Sequence, residues 1–367
     1  MLQHLESLTW TFDAEGQRVS AIYVYAEPQH TDHGLVYAPV IAADSGMEGL
    51  ACVDDVARAV LLASQLAERT GDPHAADVAH RWLTFLPYMQ GPDGQFTNFV
   101  LDRTGRRNLS GATSYPGGDW WTARALWALA SAYRVFGECD MLASIERTPL
   151  PTARSSTDLK IVAILALAGL ELLRSPAPDT LRTLWRQRVH AWCDTLIAAA
   201  ASWPYVPDIA GTLPVALWGY HQFHALAEAA TFFDDARYLA MAERTVAGLV
   251  LPVLDGGFYY RYPDDRAAQC AYCVSPLVQG LASLHRRTGN DEYRALALRA
   301  YAWFTGTNDA GAVMYDPATG RCLDGLTGTE VSPNCGAESS IEAGLAELER
   351  RALLSGHGVA LSAAGPS

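Results

Sequence analysis

The chain has 367 residues, of which half are apolar and 18% are charged, so it is not disordered and can bury a large core. The formal net charge of -13 argues against a nucleic-acid partner and an anionic membrane surface, because either would need a basic face. Residues 1–6 lack the basic start and apolar run of a secretory signal, and there are seven cysteines, so we expect a cytoplasmic protein with reduced thiols.

The apolar periodicity predicts helices that come in pairs. They lie at 51–71 and 75–90, 119–137 and 139–148, 156–174 and 178–202, 213–232 and 234–250, 269–288 and 291–305, with a last helix at 336–354. Within a pair the connections are short and polar, as at 69–73. The apolar run at 161–170 is too short for a membrane span and is typical of a buried helix.

Between pairs the connections are longer. Residues 94–100 and 256–262 alternate aromatic residues after a glycine turn, which indicates short β-segments. This near-repeat predicts an all-α toroid of helix hairpins, with short β-segments in the inter-hairpin loops, in which the last helix pairs with a terminal segment. We expect one domain over 51–354, an N-terminal arm over 1–50 packed on it, and a mobile tail over 355–367.

Carboxylates stand at the starts of several predicted helices. Asp54 and Asp55 precede Arg58, with which either can form an ion pair on the helix surface. An aspartate here can also cap free N–H groups and complement the helix dipole. Because adjacent side chains do not share a helical face, we expect Asp54 to cap the helix and Asp55 to face a cavity.

Asp119 is the stronger candidate for chemistry. Its neighbours Trp120 and Trp121 offer indole rings that can stack on a sugar and desolvate the acid, and desolvation raises the pKa of a carboxyl group, as a general acid requires. Glu338, at the start of the last helix, is a third carboxylate from a different hairpin. Asp324 stands in ordinary turn sequence and ranks lower.

Other polar residues leave alternatives open. Tyr220 and His221 can bind a sugar hydroxyl or act as the base of a lyase or epimerase, although a histidine among aromatic residues is more often part of the core. Arg261 and Tyr262 can meet a carboxylated sugar, or Arg261 can pair with a neighbouring aspartate. The Cys-x-x-Cys at 270–273 has the spacing of half a zinc site, but structural thiols are the preferred interpretation.

Four sequence segments carry a resemblance to known families. Residues 118–129, Gly-Asp-Trp-Trp-Thr-Ala-Arg-Ala-Leu-Trp-Ala-Leu, resemble a helix of unsaturated glucuronyl and rhamnogalacturonyl hydrolases, with Ala125 where that family has glycine. Residues 54–59, 324–326 and 334–339 are similar to barrel domains found alone or fused to bacterial glycosyltransferases. The resemblance covers most of 45–350 and implies the (α/α)6 fold of the six-hairpin glycosidase superfamily, a carbohydrate substrate and a functional link to a glycosyltransferase.

Together these features favour a glycoside hydrolase that needs no metal or cofactor, and the resemblance favours inversion. Asp119 is expected to be the general acid, with Asp55 or Glu338 activating water, since glycosidases use two carboxylates. The expected substrate-binding residues are Trp120, Trp121, Asn98, Tyr220, His221, Arg261, Tyr262, Asn334 and Asp324. The alternatives are a lyase or epimerase on the same fold, and a carbohydrate-binding barrel without activity.

Overall fold

The computed structural model describes residues 1–32, 34–40, 49–150, 157–263 and 265–355, so the predicted mobile tail lies outside the described residues except for Ser355. The helices in chain order are α1 (Gln3–Ser7), α2 (Val53–Thr70), α3 (Pro73–Leu83), α4 (Phe85–Met89), α5 (Asp119–Phe136), α6 (Cys139–Arg147), α7 (Leu159–Leu173), α8 (Asp179–Ala199), α9 (Gln222–Phe233), α10 (Ala236–Thr245), α11 (Leu251–Gly256), α12 (Ala271–Thr288), α13 (Asp291–Tyr301) and α14 (Ala337–Ser355).

Six of these helices form a closed inner ring. Each of α2, α5, α7, α9, α12 and α14 packs against the next, and α14 packs back against α2. The inner helices are buried on nearly every face, as in α7, where Glu171 is the one residue that is not buried. The outer helices α3, α6, α8, α10 and α13 each pack on the inner helix before them, and α1 packs on α14. The predicted all-α toroid of helix hairpins is therefore confirmed.

Local sequence explains how the chain reverses direction between α2 and α3. At the end of α2, Gly71 has a φ of 68°, a left-handed conformation that glycine adopts without strain. Asp72 then caps α3 by accepting a hydrogen bond from the backbone N–H of His74 at 3.0 Å. Because every outer helix packs back on the inner helix before it, all six inner helices begin at the same end of the toroid.

Short strands occupy the connections that precede the inner helices. In chain order they are β1 (Thr9–Ala14), β2 (Gln17–Ile22), β3 (Tyr25–Thr31), β4 (Gly34–Val40), β5 (Ala51–Cys52), β6 (Phe99–Val100), β7 (Val215–Ala216), β8 (Tyr259–Tyr262), β9 (Asp265–Gln269), β10 (Tyr315–Asp316), β11 (Arg321–Cys322), β12 (Leu326–Thr327) and β13 (Glu330–Val331). The largest sheet has the order β13-β12-β9-β8-β7, and the others are two-stranded. The β-segments predicted at 94–100 and 256–262 are confirmed as β6 and β8.

The helix predicted at 213–232 begins later than expected, at Gln222. The preceding residues form a loop in which β7 pairs with β8. Leu217 and Tyr220 are fully buried there, so their helix-like spacing reflects burial and not helical geometry. Gly219, with a φ of 68°, breaks the segment where a helix would have to continue.

Acidic and basic side chains alternate around the far end of the toroid, where the inner helices end. We call this set of ion pairs the charge ring. Its pairs are Glu68–Arg134, Arg134–Glu171 (2.5 Å), Glu171–Arg174 (3.9 Å), Arg174–Glu228 (2.7 Å), Glu228–Arg286 (3.3 Å), Arg286–Glu349 (2.5 Å) and Glu349–Arg69 (2.6 Å). The ring links all six inner helices, and its arginines also complement the dipoles of the helix C-termini.

Among the described residues, none of the helices combines the length and the apolar character that a membrane span requires.

The charge ring makes stability depend on pH through Glu349. Burial by itself would raise the pKa of Glu349, but Arg286 and Arg69 outweigh it and lower the pKa from 4.5 to about 2. A carboxyl group whose pKa is lowered on folding stabilises the protein above its unfolded pKa, and this contribution is lost as the pH falls from about 4.5 towards 2. Glu349→Gln is expected to lower the free energy of unfolding at neutral pH by about 3–5 kcal/mol, because it breaks a buried pair.

Urea unfolding of both proteins between pH 7 and pH 2 checks this expectation, since the difference between them should shrink through that window. The control is Asp179→Asn, which removes an exposed partner 3.8 Å from Arg182 and is expected to change stability little. An equal pH dependence in the wild type and Glu349→Gln would contradict the role assigned to Glu349.

Candidate active site

A cavity of about 520 Å³ opens at the end of the toroid where the inner helices begin. Its volume lies in the range of small-molecule sites. It is lined by four acidic residues, Asp54, Asp55, Asp324 and Glu338, and by five aromatic residues, Tyr25, Phe99, Trp120, Trp121 and Trp218. Among the residues that the structure describes, no arginine, lysine or histidine lines it. We call it the acidic cavity.

Arg58 holds the floor of the acidic cavity together. Its Nη2 atom lies 3.2 Å from Asp54 Oδ2, 2.6 Å from Asp55 Oδ1 and 3.0 Å from Glu338 Oε2. Its Nη1 atom lies 3.0 Å from Glu342 Oε1. The side chain is only 1% exposed, so one buried guanidinium fixes four carboxylates from α2 and α14 in a single arrangement.

The start of α2 differs from the prediction in one respect. Cys52 is the N-cap, since its Sγ accepts a hydrogen bond from the backbone N–H of Asp55 at 3.4 Å. The backbone N–H of Asp54 donates to Asn98 Oδ1 at 3.3 Å. The expectation that Asp54 caps the helix while Asp55 alone faces the cavity is therefore wrong. Both carboxylates line the cavity, because Arg58 follows them by four and three residues and its Nη2 reaches both.

Two tryptophans form one wall of the cavity. The rings of Trp120 and Trp218 stack with centroids 4.9 Å apart and an interplanar angle of 19°. The indole N–H of Trp120 donates to Asp54 Oδ2 at 3.2 Å, and that of Trp218 donates to Glu338 Oε1 at 3.2 Å. Each ring is thereby tied by its polar edge to an acid of the site. Trp121 also lines the cavity, but it is mostly buried and donates to the backbone oxygen of Phe96 at 2.8 Å.

Burial raises the pKa of two carboxyl groups in the cavity. It raises the pKa of Asp55, against the opposing effect of Arg58, and the charges of Glu338 and Asp54 raise it further. Burial also raises the pKa of Asp324 to about 6, although the backbone N–H of Gly336, 2.7 Å from Asp324 Oδ1, opposes the shift. The cavity therefore holds a carboxyl group able to release a proton close to neutral pH.

The structure brings two of the three predicted catalytic residues together. Carboxylate oxygens of Asp55 and Glu338, together with one of Asp54, lie within 4.8 Å of one another. Asp119 is the first residue of α5 and is not among the residues that line the acidic cavity. It is half-buried, and burial raises its pKa. Asp324, ranked lower from its turn sequence, does line the cavity.

Some of the predicted binding residues line the acidic cavity and others do not. Asn98 lines the cavity, and its side-chain amide donates to the backbone oxygen of Thr113 at 3.0 Å. Tyr220 is buried and donates its hydroxyl to the backbone oxygen of Val206. His221 is also buried, against Trp127, and burial lowers its pKa well below the ordinary value. Neither of the last two lines the acidic cavity.

The remaining candidates lie apart from the cavity lining. Arg261 is exposed on β8, where it pairs through its backbone with Ala216, and Tyr262 pairs with Val215. Asn334 accepts a hydrogen bond from the backbone N–H of Asp324 through its own backbone oxygen. None of the three lines the acidic cavity.

Asp54, Asp55 and Glu338 also have the spacing of a metal-binding group, the only such group of three or more His, Cys, Asp or Glu residues in the described ranges. Their countercharge is already supplied by Arg58, whose Nη2 contacts all three. The thiols of Cys270 and Cys273 lie 3.4 Å apart at the start of α12. Cys335 is not part of this pair, since its thiol donates to the backbone oxygen of Cys322.

Sequence reasoning missed Trp218 as a wall residue and Glu342 as an Arg58 partner. A signal for Glu342 existed, because it follows Glu338 by four residues and so lies on the same face of α14. Trp218 had no such signal, because it enters the site from a loop 120 residues away from Glu338, its hydrogen-bond partner.

No protein-family model and no curated protein matches this chain. Similar solved structures include a sugar epimerase from a ruminal bacterium, with 13% identity over 95% of both chains and a TM-score of 0.65. They also include an α-mannanase of glycoside hydrolase family 76 from Bacteroides thetaiotaomicron, with 10% identity over 84% of this chain and 87% of that chain and a TM-score of 0.59. An unsaturated glucuronyl hydrolase specific for heparin matches with 10% identity over 91% and 92% of the two chains and a TM-score of 0.56. The chain therefore has the (α/α)6 toroid fold that these sugar epimerases and glycoside hydrolases share.

Proposed function

We propose that the protein is a carbohydrate-processing enzyme, and specifically a glycoside hydrolase that acts in the acidic cavity. The observation that carries the proposal is the lining itself, in which four carboxylates and a pair of stacked indole rings share one cavity. Indole faces pack against the C–H faces of sugars, and paired carboxylates are the acid and base of most glycosidases.

In the proposed reaction Asp324 is the general acid and Glu338 is the base. Asp324 donates its proton to the glycosidic oxygen as the C–O bond breaks, and a water molecule adds to the anomeric carbon while its proton passes to Glu338. The raised pKa of Asp324, about 6, suits the first role. Glu338, whose side chain is 32% exposed, is open to the water that the second role requires. We propose inversion of the anomeric configuration, which follows when the displacement occurs in one step.

The sign of the charge in the cavity favours hydrolysis over epimerisation. Glycoside cleavage passes through an oxocarbenium-like transition state, whose positive charge the carboxylates stabilise. Epimerisation next to a carbonyl instead develops negative charge on oxygen, which calls for cations or N–H donors. Tyr220 and His221, the candidate bases for an epimerase or lyase, are buried away from the cavity lining.

Incubation with a panel of oligosaccharides, followed by NMR of the products, tests the reaction class. A new reducing end, with the inverted anomer formed first, supports the proposal. An isomerised sugar would indicate an epimerase, and a product with C=C absorbance would indicate a lyase. Binding without any turnover would indicate a carbohydrate-binding barrel.

The cytoplasmic location and the functional link to a glycosyltransferase stay predictions.

Substitution of the two candidate acids tests the assignment of Asp324. Asp324→Asn is expected to reduce kcat by about 10²–10⁴-fold, the usual contribution of a general acid. The wild type is expected to lose kcat/KM as the pH rises through about 6, because Asp324 must be protonated to act, and this loss should be absent in Asp324→Asn. Asp119→Asn is the matched control and should keep nearly full activity. The opposite ranking of the two variants would return the role to Asp119.

A further inference from the structure

The acidic cavity has an unbalanced charge at its surface. Asp54, Asp55, Asp324 and Glu338 line it, whereas no cationic side chain does so in the described ranges. Three cations that contact its lining residues lie beneath the surface. Arg58 and Arg124 are each 1% exposed, and Lys160 is 7% exposed. A ligand in the cavity therefore meets carboxylate oxygens before it meets any of these cations.

Each buried cation is already engaged. Arg58 contacts four carboxylates, and its guanidinium lies 4.4 Å from the centre of the Tyr272 ring. Arg124 Nε lies 3.3 Å from Asp54 Oδ1, and its guanidinium lies 5.4 Å from the centre of the Trp120 ring. Arg124 Nη2 has no hydrogen-bond partner, but like Arg58 it is buried beneath the cavity surface. Both arginines are therefore held by carboxylates and aromatic rings, and neither lines the ligand space.

Lys160 lies close to the two tryptophans of the cavity wall. Its Nζ lies 5.7 Å from the ring centre of Trp120 and 5.8 Å from that of Trp218, and it does not line the cavity. Its charge is therefore offered to the indole faces as a cation–π contact and not to the cavity. The wall presents to the cavity two apolar rings whose polar edges point to Asp54 and Glu338.

We propose that the acidic cavity selects an uncharged sugar and rejects a sugar that carries a carboxylate or sulfate on the ring entering it. The inference rests on the proposed function and names its substrate class. An anionic substituent would lose its hydration, gain no cationic partner and lie close to like charges, which costs several kcal/mol at a buried site. An uncharged ring keeps the indole contacts and can donate its hydroxyl hydrogens to the carboxylates.

Matched pairs of p-nitrophenyl glycosides test whether uncharged sugars are cleaved in preference to uronides. The glucoside is compared with the glucuronide, and the galactoside with the galacturonide, in both anomeric forms. We expect kcat/KM for the uncharged member of a cleaved pair to exceed that of the uronide by at least ~100-fold, the factor that corresponds to like-charge repulsion of this size. Equal or faster cleavage of a uronide would overturn the inference.

Calorimetric binding of glucose, galactose, mannose, glucuronate and galacturonate to the wild type tests the inference without turnover, since these free sugars have no glycosidic bond to cleave. If uncharged sugars bind in preference but no glycoside is cleaved, the hydrolase proposal fails while the substrate class stands. If glycosides are cleaved and uronates bind at least as well, the substrate class fails while the hydrolase proposal stands. Failure of every uncharged probe to bind or react would contradict both.

A charge introduced at the rim supplies a matched pair of variants. Ala112 lines the cavity, is exposed, and has no part in the proposed chemistry. Ala112→Arg places a cation beside the ligand space and should reduce the preference for the uncharged sugar by ~10-fold, since a charged partner then becomes available. Ala112→Gln adds comparable bulk without charge and should leave the preference unchanged. Equal behaviour of the two variants would show that charge does not control the selection.

Discussion

Replacing Arg58 with glutamine is expected to lower the free energy of unfolding by about 3–5 kcal/mol and to abolish turnover, because it leaves buried carboxylates without their partner. Arg58 is the shared partner of Asp54, Asp55, Glu338 and Glu342, at distances from 2.6 to 3.2 Å. Without it the four carboxylates repel one another. Arg58→Lys keeps the charge but not the planar fork, so it should recover part of the stability and little of the activity.

The pH dependence of stability separates this electrostatic role from simple packing. Arg58 lowers the pKa of both Asp55 and Glu342 against the effect of burial, so its loss should raise both pKa values further. A carboxyl group whose pKa is raised on folding stabilises the protein as the pH falls. The stability deficit of Arg58→Gln should therefore shrink between pH 7 and pH 5, as measured by urea unfolding.

The charge ring supplies the control for Arg58. Arg286 is also surrounded by acids, 2.5 Å from Glu349 and 3.3 Å from Glu228, but at the opposite end of the toroid. Arg286→Gln should destabilise the protein while leaving the pH profile of kcat/KM unchanged. If Arg58→Gln kept the pH profile of the wild type as well, Arg58 would be a structural residue and not one that positions the acids.

Glu338→Gln is expected to reduce kcat by about 10²–10⁴-fold with little change in stability. The amide keeps an oxygen that accepts one of the two hydrogen bonds that Glu338 receives, from Arg58 at 3.0 Å and from Trp218 at 3.2 Å, but it cannot take a proton from water. Substrate binding should persist, because the indole wall and Asp54 are unchanged. The measurement is kcat and KM on the best substrate of the panel, with calorimetric binding of the same sugar.

The variant Trp218→Phe tests whether Glu338 acts as a base or only positions Trp218. Trp218→Phe removes the N–H that bonds to Glu338 but keeps an aromatic ring against Trp120. It should raise KM and lower kcat only modestly, because the carboxylate remains and loses only one of its two supports. A loss of kcat as large as that of Glu338→Gln would mean that Glu338 mainly positions Trp218, and its assignment as the base would fail.

The helix hairpins could be predicted because their signals are local. The turn after α2 depends on Gly71 and Asp72, which lie next to the residues they organise. The start of α9 could not be predicted in this way. Leu217 and Tyr220 have helical spacing, but they are buried by a loop that β8 holds through backbone pairing from far along the chain. Apolar spacing reports burial, and burial alone does not distinguish a helix from a packed loop.

The sequence by itself determined the toroid of paired helices and the presence of acids beside tryptophans at the helix starts, because turn residues, apolar period and caps act over a few neighbours. Only the tertiary structure decided which acids meet. Asp119 begins α5 and Asp324 lies in the connection before α14, yet only Asp324 lines the cavity. That choice depends on how helices from different hairpins pack and rotate against one another. It also depends on Arg58, which joins residues 280 and more positions apart. Such long-range contacts leave no periodic trace in the sequence, so the acids at the starts of α2 and α5 mark the correct end of the toroid without identifying its chemistry.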